Sequence, residues 1–311
     1  MEGKEFRFLI TKELAKQRVD KCVSSVEESL SRSYLQQLIE MNLVSVNGQS
    51  VKSSYQVKAG DEVCFVLPEP ASMEVCPEEI PLDILYEDSD VIVVNKPKGM
   101  VVHPAAGHLS HTLVNALLYH CGKELSGING VLRPGIVHRI DRDTTGSLIV
   151  CKNDFSHHEI AKQLKKHTVT RRYHAICQGI LEEDEGTIRR SIGRHPTERI
   201  KMAVNEKNGK DAVTHFKVLQ RFPACTYIEC VLETGRTHQI RVHMASIGHP
   251  LLGDVLYSGG KPPMKLRGQT LHAKTLGFHH PRTGEYMELD APLPEYFLHL
   301  LEILKERNFF F

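Results

Sequence analysis

Residues 138–152 read HRIDRDTTGSLIVCK, a charged turn that runs directly into a strand-forming segment. The strand half is rich in apolar and β-branched residues. The turn half places Asp141 and Asp143 ahead of Gly146, a residue that can adopt positive φ. Basic side chains flank both carboxylates, and opposite charge nearby favours the ionised form that a nucleophile or a general base requires. An ordinary surface turn with local ion pairs has the same pattern, so the residues of this turn leave both interpretations open.

Strand-like segments lie on both sides of this turn. The predicted strands are 83–86, 90–95, 147–152, 173–178, 213–219 and 227–233. The predicted helices are 110–120, 155–166, 237–246 and 293–307. Strands dominate the middle of the chain without a regular strand–helix alternation. This pattern favours an α+β fold built around a mainly antiparallel mixed sheet over a doubly wound fold.

A second charged stretch, TGRTHQIRVHM at residues 234–244, carries Arg236, His238 and Arg241 through a predicted helix. Arg241 and His238 are three residues apart and therefore share one helical face. A guanidinium in this position can grip a phosphate or pair with a buried carboxylate. The alternative is an amphipathic helix with its apolar residues inward and its charged residues outward.

Two further segments carry candidate residues. NKPKGMVVHP, residues 95–104, ends a strand with a Pro-Gly turn, and Lys96, Lys98 and His103 there could contact the backbone of a ligand. A hairpin with exposed lysines fits this segment equally well. Tyr173, in the strand-like RRYHAI, could stack on a base, as aromatic residues do in single-strand binders, or could simply belong to the core.

Residues 68–81, PEPASMEVCPEEIP, contain four prolines and four glutamates. Proline stiffens a chain and like charges repel, so this composition predicts an acidic, extended linker. It separates a small domain, residues 1–67, from a large domain, residues 82–311.

The small domain is predicted to contain helices at 17–30 and 34–41, a hairpin at Asn47-Gly48 and a strand at 60–67. Its order of residues, including Ser31-Arg32 and Val46-Asn47-Gly48, resembles the S4 RNA-binding module. That resemblance implies phosphate contacts that position RNA without reading its sequence. The implied contact residues are Lys21, Arg32 and Lys52. A protein–protein module is the alternative, because the domain has equal numbers of acidic and basic residues.

Composition limits the class of protein. The chain has 311 residues, 41% of them hydrophobic and 25% charged, as in ordinary soluble proteins. It has no apolar run near the roughly 18 residues of a membrane span and no secretory signal, so a cytoplasmic protein is expected. The eight cysteines include no C-x-x-C pair and are expected to be reduced thiols, mostly in the core. Residues 91–311 carry 30 Lys/Arg and 21 Asp/Glu, a balance that fits a polyanionic partner.

Several chemistries lack their motifs. The sequence has no Walker-type loop, no dinucleotide-binding glycine pattern and no zinc-deaminase signature. It also lacks the further clustered carboxylates that a metal-dependent nuclease needs. We therefore expect no cofactor, no nucleotide cofactor and no metal.

Taken together and in order, these motifs resemble one family, the RluA-type pseudouridine synthases. HRIDRDTTG is similar to the family signature, and NKPKGMVVHP, RRYHAI, TGRTHQIRVH, GDVLY and LHA stand in family order from about residue 82 to 295. The resemblance implies that Asp141 is the catalytic aspartate, that Arg241 pairs with it and that Tyr173 packs on the target base. Leu271 is implied as an apolar pocket residue. The resemblance also implies that the sheet has flanking helices and a central cleft. The RNA contacts expected in the large domain are Lys96, Arg139, Arg236 and His238.

The implied reaction breaks the N1–C1′ bond of a uridine, turns the uracil and joins C5 to C1′. The product is an isomer, so the reaction needs no cosubstrate. The carboxylate could attack the sugar, attack the base or remove a sugar proton, and the sequence does not separate these routes. The target uridine has to leave the base stack.

The expected partner is structured RNA, most of all large-subunit ribosomal RNA or its precursor, with transfer RNA as the runner-up. A non-catalytic RNA-binding ribosome assembly factor is the main alternative from another class, and an RNA hydrolase using Asp141 and Asp143 is a weaker one. A monomer without membrane association is expected.

Overall fold

The computed structural model describes residues 3–27, 30, 32–68, 75–104, 108–122, 124–128, 130, 132–259 and 266–306. The chain divides into two units, Met1–Met73 and Glu74–Phe311. Among the described residues, none of the helices has both the length and the apolar character that a bilayer crossing needs. Six of the eight cysteines are buried, as expected for thiols in a core.

The first unit packs two helices on a four-stranded sheet. In chain order its elements are β1 (Gly3–Leu9), α1 (Val19–Val26), α2 (Arg32–Glu40), β2 (Val44–Val46), β3 (Gln49–Ser50) and β4 (Glu62–Pro68). The sheet order is β1-β4-β2-β3. Asn47 and Gly48 both adopt positive φ, 52° and 77°, so the predicted hairpin joins β2 to β3. β1, which lies at the sheet edge against β4, was not predicted.

The second unit is built on one large sheet. Its strands are β5 (Ile84–Glu87), β6 (Val91–Lys96), β7 (Thr145–Cys151), β8 (Thr170–Gln178), β9 (Glu185–Arg189), β10 (Ile192–Arg194), β11 (Met202–Val204), β12 (Val213–Arg221), β13 (Cys225–Leu232), β14 (Leu271–His279) and β15 (Tyr286–Asp290). Its helices are α3 (Leu113–Cys121), α4 (Asp154–Lys165), α5 (Gln239–Ser246) and α6 (Glu295–Glu306).

Nine of these strands form the sheet, in the order β5-β6-β7-β14-β8-β13-β12-β9 with β15 also paired to β14, while β10 and β11 form a separate pair. Every pairing within the large sheet is antiparallel except that of β7 with β14. The predicted α+β class with a mainly antiparallel mixed sheet is confirmed.

Both faces of this sheet are covered. In β6, Ile92 and Val94 pack into one hydrophobic cluster while Val91 and Val93 pack into another, as alternation along a strand requires. Two of the flanking helices start at side-chain caps. Thr112 and the third-position Asn115 form a reciprocal capping box at α3.

The segment predicted as a linker belongs in part to the second unit. The backbone N–H of Glu78 donates to the carbonyl of Asn115, and the Asn115 side chain donates to the carbonyl of Cys76. Val75 packs against the core of the unit. Residues 75–81 are thus attached to α3 rather than free, because their backbone groups find partners on its first turn. Residues 69–74 of the predicted linker lie outside the described residues.

Candidate active site

The turn that carries Asp141 enters the middle of the large sheet. It ends where β7 begins at Thr145, and the next residue, Gly146, has a φ of 107°. β7 and β14 pair here in parallel, with Gly146 opposite Ala273. A Cβ on Gly146 would lie 2.3 Å from the Ala273 carbonyl oxygen, so only glycine lets the two backbones approach this closely.

Arg241, 100 residues further along the chain, holds the Asp141 carboxylate. Its Nη1 donates to Asp141 Oδ2 over 2.9 Å. The other edge of the guanidinium grips Asp254, with Nε donating to Oδ2 over 2.7 Å and Nη2 donating to Oδ1 over 2.9 Å. Asp254 is only 1% exposed. The buried carboxylate therefore fixes the plane of the arginine, and the arginine in turn fixes Asp141.

The charges of this network shift the pKa of Arg241. Burial alone would lower it, but the hydrogen bonds and charge of Asp254, together with Asp141, outweigh burial and raise the pKa above its ordinary value. Among the described residues, Arg241 is the only hydrogen-bond donor to the Asp141 side chain. The other carboxylate oxygen, Oδ1, lies 3.8 Å from Nε2 of His238. Burial lowers the pKa of His238, which leaves this imidazole uncharged near neutral pH.

Tyr173 and Leu271 come to the same place on neighbouring strands. β14 lies between β7 and β8, and Tyr173 of β8 is opposite Ala273 of β14. Both side chains line one pocket with Asp141 and Arg241. Burial raises the pKa of Tyr173, so its ring stays a neutral phenol. The pocket thus combines a carboxylate, a flat aromatic face and an apolar wall.

Three cavities meet at Asp141. The small pocket, of about 60 Å³, adjoins one of about 590 Å³ and another of about 390 Å³. Arg139, Asp141 and His238 line all three. The two larger cavities provide room for a bulky substrate beside the carboxylate.

The structure corrects the role expected of Lys96. Its side chain is 1% exposed, and its ammonium donates to the carbonyls of Pro97, Met100 and Arg142, each over 2.9 Å. Burial lowers its pKa to about 7. Lys96 cannot contact an RNA backbone, because all of its donors face the protein interior. It instead ties the 95–104 segment to the Asp141 turn.

The helix expected over 237–246 begins at Gln239. His238 precedes it in the left-handed conformation, with φ 58° and ψ 20°, and ends the irregular part of the segment. Arg241 and His243 are both buried. The alternative of an amphipathic helix is confirmed for its apolar residues, which are buried. It is wrong for its charged residues, because Arg241 and His243 are buried as well.

The remaining expected RNA contacts lie in two places. Arg139, Arg236 and His238 line the two pockets of about 60 and 590 Å³ beside Asp141. Lys21 and Lys52 are exposed on the first unit. The side chain of Arg32 lies outside the described residues.

The sequence analysis missed two residues that organise the site. Asp254 was noted only as part of a short motif, and nothing in that motif indicated its burial beneath Arg241. Gln239 is buried and accepts from the Arg236 N–H and the Thr234 hydroxyl, so it closes the loop before α5.

In the part of the chain that the structure describes, two groups of side chains have the spacing of metal ligands. Glu87, His120 and Cys121 form one, and Asp88, Asp90 and His280 form the other. In the second group, Arg282 donates to both oxygens of Asp90, each over 2.6 Å. That guanidinium already supplies the positive charge a metal would bring. Neither group includes a residue of the Asp141 pocket.

Comparison with known proteins gives matches to both units of the chain. The family model described as RNA pseudouridylate synthase matches residues 90–246, and the S4 domain model matches residues 17–63. An uncharacterized RNA pseudouridine synthase of Bacillus subtilis is 53% identical over 298 residues, covering 96% of this chain and 97% of the relative. The ribosomal large subunit pseudouridine synthase D of Zymomonas mobilis is 45% identical over 313 residues, covering 96% and 97%. The solved structure of the human RNA pseudouridylate synthase domain containing 1 aligns with a TM-score of 0.55 at 26% identity, covering 77% of this chain and 98% of that one.

Proposed function

The chain belongs to the RNA pseudouridylate synthase family, and we propose that the RNA on which this isomerase acts is large-subunit ribosomal RNA. The observation that carries the choice of substrate is the extent of the match to relatives of that name. Those of Zymomonas mobilis and Pasteurella multocida are 45% and 44% identical to this chain over most of its length, including the S4 domain. A relative that shares both domains is expected to share the surface that selects the RNA.

We propose Asp141 as the catalytic carboxylate. Its Oδ2 is held by Arg241, while Oδ1 accepts no hydrogen bond from the described residues. Nucleophilic attack and proton abstraction both require such a free carboxylate oxygen beside the substrate. Arg241 acts as the positioning residue, since Asp254 fixes it on the side away from Asp141.

Tyr173 is proposed to stack on the extruded uracil, with Leu271 as the apolar wall of the same pocket. A uridine buried in an RNA fold cannot reach Asp141 without leaving its stack, and extrusion costs a few kcal/mol of stacking and pairing energy. Stacking on an aromatic ring returns roughly 1–3 kcal/mol per base. The neutral, well-packed ring of Tyr173 can thus replace part of the stacking that the uracil loses when it leaves the RNA.

RNA binding is proposed to use both units. In the large unit, Arg139, Arg236 and His238 surround the entrance to Asp141. In the S4 unit, Lys21, Arg32 and Lys52 are proposed to hold the backbone through contacts that carry no sequence information. Because Lys21 and Lys52 are exposed, changing both to glutamine removes two phosphate contacts without disturbing a core. The double variant should raise the KM for the RNA and leave kcat nearly unchanged.

The experiment that tests the proposed function measures tritium release from RNA carrying 5-tritiated uridine. C5 loses its hydrogen when it bonds to C1′, so release reports the isomerisation directly. Total ribosomal RNA and total transfer RNA from cells lacking the protein are compared as substrates. Release from ribosomal RNA that disappears with Asp141→Asn supports both the substrate and the catalytic residue.

Asp141→Asn keeps the shape of the side chain and leaves the Arg241–Asp254 pair intact, so the variant should still fold and bind RNA. Release from transfer RNA alone would move the substrate to that class. Turnover by Asp141→Asn at the wild-type rate would refute the role given to Asp141. Tight binding without any release would favour a ribosome assembly factor.

A further inference from the structure

Arg171 is a buried cation that has no carboxylate partner among the described residues. It is 7% exposed and stands two residues before Tyr173 on β8. Its Nη2 donates to the carbonyl of Glu233 over 3.0 Å, and its Nε has no hydrogen-bond partner. Across the described part of the chain, no acidic side chain forms an ion pair with it. Buried charges in proteins are ordinarily paired, so an unpaired one calls for a ligand of opposite sign.

The surroundings of Arg171 are built around its guanidinium. A Cβ added to Gly235 would lie 2.6 Å from Nη1, so the glycine leaves the space that this group occupies. Burial lowers the pKa of Arg171, and no neighbouring carboxylate offsets that effect. The guanidinium is therefore held in place by packing and by one carbonyl, and its Nε–H remains available to donate to a ligand.

Arg171 lines the cavity of about 590 Å³ that adjoins the catalytic pocket. Arg139, Lys165 and Arg236 bring three more permanent positive charges to its walls, and His138, His167 and His238 line it as well. Its one acidic side chain is Asp141, which is already paired with Arg241. The cavity is thus a basic chamber beside the reacting carboxylate.

We propose that this basic chamber binds a backbone phosphate of the RNA next to the uridine held at Asp141, with Arg171 as its innermost ligand. The assignment rests on the proposed function, because the phosphate belongs to the same RNA strand as the target. A phosphate accepts several hydrogen bonds at once, and guanidinium groups match its geometry. Docking it would anchor the strand on one side of the catalytic pocket while the base enters the other.

Free inorganic phosphate has the same chemistry, and a matched pair of variants separates the two sources. Arg171→Gln removes the innermost cation. Arg172→Gln makes the same change one residue further on, where the side chain is exposed on the opposite face of β8. Both are made in the full-length chain and compared with the wild type.

The first measurement is the salt dependence of binding to a large-subunit ribosomal RNA transcript. Loss of one phosphate contact should reduce the slope of log Kd against log salt by about 0.7. We expect this reduction for Arg171→Gln and no change for Arg172→Gln. Arg171→Lys, which keeps the charge, should recover most of the slope.

The second measurement is the melting temperature with added inorganic phosphate, at ionic strength held constant with chloride. A reduced salt slope for Arg171→Gln supports the RNA phosphate site. It does so whether or not added phosphate also raises the melting temperature of the wild type and not that of Arg171→Gln. Protection without any change in slope assigns the chamber to free phosphate and overturns the proposal. Equal slopes and no protection also overturn it.

If Arg171→Gln does not fold, Lys165→Gln replaces it. Lys165 is exposed at the end of α4 and lines the same chamber, so its loss should also reduce the slope. Tritium release by the wild type decides the proposed function separately. Suppose that the wild type modifies ribosomal RNA, but the variants keep the wild-type salt slope and the wild-type response of the melting temperature to phosphate. That result refutes the phosphate site and leaves the proposed function standing.

Discussion

Asp254→Asn provides a direct test of how Arg241 is held beside Asp141. Asp254 is 1% exposed and accepts two hydrogen bonds from Arg241, over 2.7 and 2.9 Å. Removing one partner of a buried ion pair costs about 3–5 kcal/mol. Asparagine keeps one acceptor oxygen and presents its amide to the other donor, so we expect a loss of about 2–3 kcal/mol. For a unit of this size that lowers the melting temperature by about 4–12 °C.

The same change should slow the reaction. Without the Asp254 carboxylate, the Arg241 guanidinium can rotate about its hydrogen bond to Asp141. A displacement of about 1 Å at a catalytic group can cost about 100-fold in rate. We therefore expect kcat/KM in the tritium-release assay to fall by about 100-fold, equivalent to about 2.7 kcal/mol. Asp141→Asn, in contrast, should abolish activity and leave the melting temperature nearly unchanged.

The matched control is Asp184→Asn, which makes the same substitution at an arginine–aspartate pair on the surface. Asp184 pairs with Arg221 over 2.7 Å, and its side chain is 85% exposed. Exposed pairs contribute little to stability, so neither melting temperature nor kcat/KM should change measurably. If Asp254→Asn behaves like this control in both assays, then Asp254 does not position Arg241 and the reasoning fails.

Three further predictions concern the frame of the site. Gly146→Ala places a methyl group against the backbone of β14 at a φ of 107°, so it should lower the free energy of unfolding by about 3 kcal/mol or more; an unchanged denaturant midpoint would contradict this. Lys96→Met leaves the Pro97 and Met100 carbonyls without a donor among the described residues, while the Arg142 carbonyl keeps the Gly99 N–H. It should lower kcat at least about tenfold while RNA affinity stays constant, whereas a loss of affinity alone would restore the surface role. Burial lowers the pKa of His103 and of His272 to about 4, against about 6.5 in an unfolded chain. The unfolded state therefore binds more protons below pH 6.5, and stability should fall as the pH drops from 6.5 towards 4, by about 2 kcal/mol per histidine at pH 5. Denaturant midpoints that are equal at pH 7 and pH 5 would refute this.

Local signals in the sequence predicted much of the fold. The hairpin at Asn47-Gly48 is confirmed because both residues tolerate positive φ whatever their surroundings. The strands around residues 90–95 and 147–152 are confirmed because apolar, β-branched runs indicate buried strands. β14, in contrast, was not predicted, although its first residues, LHAK, had been noted. Of its three partners, only β15 is close in sequence; β7 and β8 lie about 100 residues or more upstream, and no local pattern encodes those two pairings.

The candidate site was predictable only in part, because contacts between distant parts of the chain leave no local pattern in the sequence. The family resemblance placed Asp141, Tyr173, Arg241 and Leu271 together, and the structure brings all four to one pocket. The charge of a lysine or an arginine says nothing of its burial, so Lys96 was taken for a surface contact. Burial depends on which distant carbonyls surround the group, and those come from the tertiary fold.

The two buried arginines near Asp141 show how charge is distributed between structure and substrate. Arg241 has its full complement of negative charge inside the protein, from Asp254 and Asp141, and it cannot serve a ligand without releasing one of them. Arg171 lies in the adjoining chamber with no acidic partner among the described residues and with an unpaired Nε. Holding the Asp141 carboxylate in place requires Arg241 but does not require Arg171. An unsatisfied buried cation costs stability, and this cost is offset when an anion enters. The free chain should therefore be less stable than the RNA-bound chain by more than its surface contacts explain, and Arg171→Gln should reduce that difference.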